Sequence, residues 1–331
     1  MSSVLSDVDD PDSGPASAWQ STLLALPALR LRLALNVDHD VLPYPDVIRG
    51  AIGQQLLRTA QEATLRCLFP SGAGEPALEP RVGARDGVRF DMAATSEGAV
   101  AISPWGVTSP WALRVDVATR HLEIGVFANA LEHLPQLLSA LLSAARGRIG
   151  GCHNLALGAI THETGIGTNV WMPGLPATAT AWALPPRPRG AVDVHLLTPL
   201  RLRRGGREVR SAEFTPRDLL SNLMRKFSAL TAQAGLPPLR WEPAALLAAL
   251  ADVRWIEPRL HWKIQDRYSQ RQGARMSLGG LLGVVGAAPD ALGALWPVLW
   301  MGQFVHAGKT PSMGMGCYRL RARPDALQAD P

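Results

Sequence analysis

A proline-rich stretch from Pro173 to Pro188 divides the chain into two parts in which strand-like and helix-like patterns follow in the same order. That repetition constrains the fold more than any single motif, because each half must close a core of its own. In the first half, Leu29-Arg-Leu-Arg-Leu-Ala-Leu-Asn-Val37 alternates strictly, as a strand with one buried face does. Pro43 to Pro45 make a turn, and Asp46 is expected to cap a helix running to about Ala60, with Ile48, Ile52 and Leu56 on one side. A Pro/Gly-rich loop follows from Pro70 to Gly87. Strand-like alternation returns at Arg89–Met92 and between Trp111 and Phe127. Ala130–Ala145 carries leucines at helical spacing, Gly147–Gly151 ends that helix, and Asn154–His162 reads as a strand.

The second half repeats the order. Val192–Leu202 is strand-like, and Thr215-Pro216 opens a helix reaching Gln233 with apolar residues at 219, 220, 223, 224, 227 and 230. A short helix at Pro243–Ala251, strands at Val253–Lys263 and Leu278–Val285, a helix from Asp290 to Val305 and a strand from Met313 to Arg321 complete it. Two successive βαββαβ units predict an α+β protein built of two tandem ferredoxin-like domains. The boundaries expected are a disordered leader at 1–20, a first domain at 21–172, a linker at 173–190, a second domain at 191–323 and a tail at 324–331.

With 331 residues, 47% of them hydrophobic, the chain can bury two cores. Its charge of +5 comes from arginine far more than lysine, and arginine both forks onto phosphate and stacks on bases. Cys67, Cys152 and Cys317 are single and far apart, which predicts a reduced, cytoplasmic setting. The acidic leader has no basic start of the kind a signal peptide carries. Leu278–Val305, with Asp290 as its one charge, is long enough to span a bilayer, but Pro289-Asp290 interrupts it, so it reads as a buried strand followed by a buried helix.

Between that helix and the last strand lies Phe304-Val-His-Ala-Gly-Lys-Thr-Pro-Ser-Met-Gly-Met-Gly-Cys-Tyr-Arg-Leu320. Glycines there suit a backbone that approaches another surface closely, and backbone N–H groups beside Lys309 suit a phosphate. Gly308-Lys309-Thr310 ends like a nucleotide-binding P-loop. The glycine that motif needs five positions before the Gly-Lys pair is absent, because Gln303 stands there.

Thr198-Pro-Leu-Arg-Leu202, the Phe214…Asp218-Leu-Leu…Leu223…Arg225 helix, Tyr268-Ser…Arg271-Gln272, Met276…Leu278-Gly-Gly280 and His306…Gly308-Lys309…Gly314-Met-Gly316 occur in that order. Pro43-Tyr-Pro45 with Ile48-Arg-Gly-Ala51, and the corner Arg146-Gly-Arg148-Ile-Gly150, precede them. Together these segments resemble the CRISPR repeat-processing endoribonucleases of the RAMP superfamily. The resemblance implies two ferredoxin-like domains, a glycine-rich loop near the end of the chain, and cleavage of CRISPR precursor RNA within each repeat without a metal ion. The implied partners are repeat RNA, the guide RNA it yields and other subunits of an interference complex; no cofactor and no membrane is implied. Two positions depart from the pattern. Pro311 stiffens the loop and removes an N–H donor, and Gln54 stands where many members carry a histidine on the first helix.

Metal-free RNA cleavage needs a base for the 2′-hydroxyl, a cation for the charged phosphorane and an acid for the leaving oxygen. The candidates are His306 or His39 as base or acid, Lys309 as phosphate clamp and Tyr44 as a proton donor. Plainer alternatives are a helix-ending His306, a surface-loop His39, a solvated Lys309 and a Tyr44 packed under a turn. Gly308, Thr310, Ser312, Gly314 and Gly316 are the loop positions expected to meet RNA. Arg267, Arg271 and Arg275, spaced by four, are expected to form one basic stripe, with Arg225 and Lys226 adding phosphate contacts from the polar side of their helix. The remaining histidines, His195 and His261 among them, form no set with metal-ligand spacing. A guide-RNA-binding subunit that does not cut is the alternative reading, and Gln54 favours it.

Overall fold

The computed structural model describes residues 18–36, 42–70, 93–94, 100–101, 108–149, 152–153, 156–164, 167–171, 182, 184–269 and 274–323. Its first elements are helix α1 (Ala18–Leu24), strand β1 (Ala28–Asn36), helices α2 (Pro45–Thr59) and α3 (Glu62–Leu68), strands β2 (Trp111–Asp116) and β3 (His121–Phe127), helix α4 (Leu134–Ala145), and strands β4 (Ala156–Thr164) and β5 (Gly167–Trp171). The five strands form one antiparallel sheet in the order β2-β3-β1-β4-β5. Along β1, Leu29, Leu31, Leu33 and Leu35 are buried, while Arg30 and Arg32 lie on the opposite face. The buried face is covered by Ile48, Ile52 and Leu56 of α2 and Leu134, Leu137, Leu138 and Leu141 of α4. The Trp111 indole donates to the Leu68 carbonyl at 2.6 Å, fixing the end of α3 to the sheet.

The second unit comprises β6 (Val192–Leu200), α5 (Pro216–Gln233), α6 (Pro243–Ala248), β7 (Ile256–Ser269), β8 (Ala274–Ala287), α7 (Trp296–Val305) and β9 (Tyr318–Ala322). Its sheet runs β7-β8-β6-β9, again antiparallel. Leaving aside the extra edge strand β5, each sheet places its strands in the order second, third, first, fourth, the ferredoxin-like arrangement expected from the sequence. Helix α5 begins with a capping box. Thr215 N–H donates to Asp218 Oδ2 at 2.9 Å, and the Thr215 hydroxyl accepts the Asp218 N–H at 3.4 Å.

Several boundaries differ from the sequence reading. Residues 18–20 do not continue a leader. They open α1, whose Trp19 and Leu23 pack into the core of the second unit, with the Trp19 ring 4.9 Å from Trp241. The apolar spacing Trp19, Leu23, Leu26 was hidden by the Ser/Pro-rich context before it. Ala28, Ala112 and Phe127 of the first sheet also enter that second core, so the units share a packed boundary. Helix α2 starts at Pro45 behind an extended Tyr44, without a side-chain cap from Asp46. The stretch 290–305 is broken by Gly293 at φ 50°, leaving α7 to start at Trp296. The last strand starts at Tyr318, since Met313 lies in a 3₁₀ turn.

The hairpin β7–β8 is longer than expected, at 14 residues per strand. Ile264, midway along β7, is 62% exposed, and a strand position with no core beneath it has no reason to follow the alternation. This overturns the single arginine stripe. Arg267 pairs across the ladder with Met276, and Arg275 with Tyr268, so the two stand at adjacent register positions, which belong to opposite faces of the hairpin. The spacing-of-four rule holds within one element, and the chain reverses between them. Arg271 lies outside the described residues, as do the 89–92 segment and the leader before Ala18. Among the described residues, no helix is long and apolar enough to cross a membrane.

Thr215→Ala should remove one bond of the capping box and lower stability to urea by about 1 kcal/mol, while Asp218 keeps its ion pair with Arg204. Equilibrium unfolding followed by circular dichroism measures it.

Candidate nucleic-acid interface

The glycine-rich segment begins where α7 stops. His306 ends the helix at φ 57° and ψ 145°, a left-handed exit uncommon for a residue other than glycine. The residue is 5% exposed, and Nδ1–H donates to the Met315 carbonyl at 3.2 Å. Burial, then the neighbouring Lys226 and Arg319 cations, hold the imidazole well below its ordinary pKa. His306 is therefore a neutral, enclosed ring that shapes the loop. As folded it does not present an acid or base to a strand outside.

Lys226 is also enclosed, contrary to its expected place on the polar side of α5. Nζ donates to the Val305 carbonyl and, at 2.6 Å, to the His306 carbonyl. It satisfies the end of α7 and is not placed to meet phosphate. Burial lowers its pKa from 10.5 to about 7. Arg225 beside it is exposed, with Nε donating to the Ser221 carbonyl at 3.2 Å.

The loop's backbone N–H groups mostly point into the protein. Gly308 donates to Asn222 Oδ1 at 2.7 Å, Lys309 to the Arg201 carbonyl at 3.1 Å, Gly316 to the Pro199 carbonyl at 3.0 Å and Cys317 to Thr198 Oγ1 at 2.8 Å. Met313 and Gly314 donate within the turn to Thr310 and Pro311. The expected cradle of exposed N–H donors is thus largely occupied by protein acceptors. Gly316, at φ 72°, passes so close to Ala307 that a Cβ would lie 1.7 Å from its carbonyl oxygen. Thr310, at φ 59°, donates its hydroxyl to the Lys309 carbonyl at 2.7 Å.

What the loop leaves outside is Lys309. Its pKa is lowered by partial burial and by Arg203 and Arg201 nearby. Arg201 is paired with Glu208 at 2.7 Å, whereas the exposed Arg203 sits on a small hairpin, Arg203–Arg204 against Arg207–Glu208. Lys309 and Arg203 therefore form an electropositive point beside the loop. Across from it, the turn at 311–314 touches α2 and β2, so Pro45 adjoins the loop's far end, with the 63%-exposed Tyr44 preceding it in the chain. His39 lies in the 37–41 stretch, outside the described residues. Gln54 is exposed on α2.

A second basic surface escaped the sequence reading. In the second sheet, Arg319, His195, Val284 and Arg259 stand in one row across the four strands. Arg259, His261 and Lys263 are exposed at alternate positions of β7, and Arg321 follows on β9. Burial, then Arg321 and Arg259, lower the His195 pKa against the opposing effect of Asp193. The alternation Arg259-His261-Lys263 was the available signal. Where the units meet, Glu123 accepts from Arg114 at 3.0 Å and from Arg319 at 2.9 Å, with Arg32 at 3.9 Å, and Arg30 stacks 4.2 Å over the Phe304 ring. A cavity lined by Arg30, Arg32, Glu123, Phe304, His306 and Arg319 opens there.

Two ferredoxin-like units joined through a glycine-rich loop, with cations along a sheet face, make up the architecture that the family resemblance implied. Residues 194–318 match the family model described as CRISPR-associated endoribonuclease Cas6. Over most of its length the chain also matches solved Cas6 structures: a Cas6 product complex at 17% identity, covering 89% of this chain and 99% of that chain with a TM-score of 0.53; a second Cas6 product complex at 18% identity, with 89% and 99% covered and a TM-score of 0.50; and a Thermus thermophilus Cas6 at 16% identity, with 90% and 99% covered and a TM-score of 0.50. At such identities these structures speak to the fold. No curated protein matches the chain. The resemblance to the CRISPR repeat-processing endoribonucleases is borne out by the family model, and the tandem ferredoxin-like fold by the structures.

The buried amine has a measurable signature. Between pH 7 and about 10.5 the unfolded chain binds a proton at Lys226 that the folded one does not, so this group makes stability rise with pH across that window. Lys226→Met should be less stable at every pH, and its deficit relative to wild type should widen from pH 7 to 10 in urea titrations.

Proposed function

We propose that the protein binds the repeat of CRISPR precursor RNA and cleaves it without a metal ion. The observation that carries this reading is the endoribonuclease family match over 194–318, the segment that contains the glycine-rich loop and Lys309. In the reaction, a ribose 2′-oxygen forms a bond to the adjacent phosphorus as the bond to the 5′-oxygen breaks. The 2′-proton passes to a base, and the leaving oxygen takes a proton from an acid. The products are a 2′,3′-cyclic phosphate and a 5′-hydroxyl. With His306 enclosed, His39 is the remaining histidine for base or acid, Tyr44 is the exposed proton donor next to the loop, and Lys309 with Arg203 stabilises the phosphorane charge. The exposed cations of the second sheet and its hairpin hold the strand. A reduced, cytoplasmic setting accords with cysteines that are single and far apart in the sequence.

A second reading, a guide-RNA-binding subunit of a CRISPR interference complex, is favoured by Gln54, since an amide cannot serve as a base near neutral pH. One assay separates the two. The protein is incubated in EDTA with the repeat RNA of its own locus. Cleavage leaving a cyclic-phosphate end supports the enzyme, and tight binding without cleavage supports the subunit. Loss of cleavage in EDTA with recovery in magnesium would overturn the metal-free route.

His39→Ala and Lys309→Ala should each lower the single-turnover rate by about 10²–10⁴ while repeat-RNA affinity stays nearly constant. Charge reversal at Arg271 and Arg275 should weaken affinity and reduce the salt slope by about 0.7 for each single-strand phosphate that the protein no longer neutralises.

A further inference from the structure

The glycine-rich loop is tied to both domains through different residues. Its two ends belong to the second domain, where the Gly308, Lys309 and Gly316 N–H groups are held by Asn222, Arg201 and Pro199. Its middle belongs to the first domain. Arg49 Nε, one turn into α2, donates to Ser312 Oγ at 3.0 Å, and the Arg49 guanidinium lies 4.6 Å over the Phe69 ring. Ser312 and Pro311 are buried in this contact. Gly314, at φ 85°, lets Pro45 approach so closely that a Cβ there would sit 2.5 Å from the Pro45 Cβ.

Pro45 opens α2, and Tyr44 is its N-cap residue, with a carbonyl that accepts the Val47 and Ile48 N–H groups at 3.0 and 3.1 Å. Whatever fixes Pro45 against Gly314 therefore fixes Tyr44. Lys309, five residues earlier on the same loop, is fixed to the exit of β6 in the other domain. The two groups come from different domains and share one short piece of backbone.

We propose that the turn from Pro311 to Gly314 is a latch between the domains, and that Arg49 and Ser312 are positioning residues that set Tyr44 against Lys309. Two features make Arg49 suited to this. The Phe69 ring holds its guanidinium in place, and its acceptor is a buried hydroxyl inside a turn closed by the Met313-to-Thr310 and Gly314-to-Pro311 backbone bonds, so the contact has little freedom to drift. Pro311, which has no N–H to donate, gains a purpose here, because it stiffens the part of the loop that must present Ser312 in one orientation.

The proposal rests on the cleavage reading for its effect on rate, and it has a second readout that does not. The variants are Arg49→Ala, Arg49→Lys and Ser312→Ala, with Leu57→Ser, a 72%-exposed position on the same helix, as the control. Amide hydrogen exchange is followed at 308–316 and 44–50 in the RNA-free protein, and single-turnover cleavage and Kd are measured with repeat RNA. Arg49→Ala and Ser312→Ala should raise exchange at both segments and slow cleavage by about ten- to a hundredfold, since small misplacement of reacting groups has that effect. Affinity should stay within about threefold, Arg49→Lys should recover part of both readouts, and Leu57→Ser should match wild type. Unchanged exchange in the two alanine variants overturns the latch whether or not the protein cuts RNA. Raised exchange with wild-type cleavage overturns the positioning role. If wild type does not cleave its repeat, the cleavage reading fails by itself, and exchange still decides the latch.

Discussion

A buried amine at the end of a helix underlies the rest of this structure. Helix α7 stops inside the protein, and the chain leaves it abruptly through the left-handed His306. Helix ends leave carbonyls without partners, and a buried carbonyl without one costs about 1–3 kcal/mol. Lys226 reaches across from α5 to bond two of them, and a cationic or proton-rich group also suits the negative end of the helix dipole. With those carbonyls satisfied, the chain can turn at once into the glycine-rich loop and lay it against both domains. Lys226 was legible in a way that residue type concealed. On α5 it falls on the stripe Leu219, Leu223, Lys226, Leu230, at spacings of four, three and four, so periodicity assigned it to the core while its charge suggested the surface.

The second constraint is the cluster around Glu123. Three arginines converge on one half-buried carboxylate, one of them, Arg319, from the other domain. A lone charge in that position would be costly, and the grouping of opposite charges makes burial tolerable. No sequence pattern could reveal it, because Glu123 and Arg319 lie 196 residues apart. The alternation on β1 did show that Arg30 and Arg32 stand opposite the leucines. It did not show that this opposite face would be partly covered by the second domain and not wholly by solvent.

Element order was legible because half-buried strands and amphipathic helices impose periods of two and 3.6 on the residues that pack. Where packing ends, so does the signal, as at the exposed Ile264 of β7. The loop shows a different limit. Its glycines signal backbone needing close approach, and Gly314 and Gly316 meet that need against Pro45 and Ala307. Composition alone cannot distinguish a backbone pressed against a phosphate from one pressed against the protein itself. The same ambiguity misplaced His306, whose nearness in sequence to Lys309 does not bring it to the same side of the loop.

The net charge of +5 is equally uninformative until each cation's partner is known. Arg114 and Arg319 face Glu123, Arg201 faces Glu208, Arg204 faces Asp218 and Arg323 faces Asp193. An arginine that exchanges a carboxylate for a phosphate leaves the carboxylate exposed to recruit a new counterion, so it adds little to the ion release that drives nucleic-acid binding. Lys309, Arg203, Arg259, Lys263 and Arg321 are different: among the described residues none has an ion pair. Four of these five lie in the second sheet or the loop, and the fifth is on the small hairpin after β6, so the second domain supplies this unpaired charge. The first domain places Arg30, Arg32 and Arg114 at the seam between the domains, keeps Arg58 and Arg146 exposed at the ends of α2 and α4, and contributes an exposed Tyr44 at the start of α2. In the proposed chemistry Tyr44 and Lys309 come from different domains, so the relative placement of the domains, held by the shared core, the Glu123–Arg319 pair and the loop, bears on it directly.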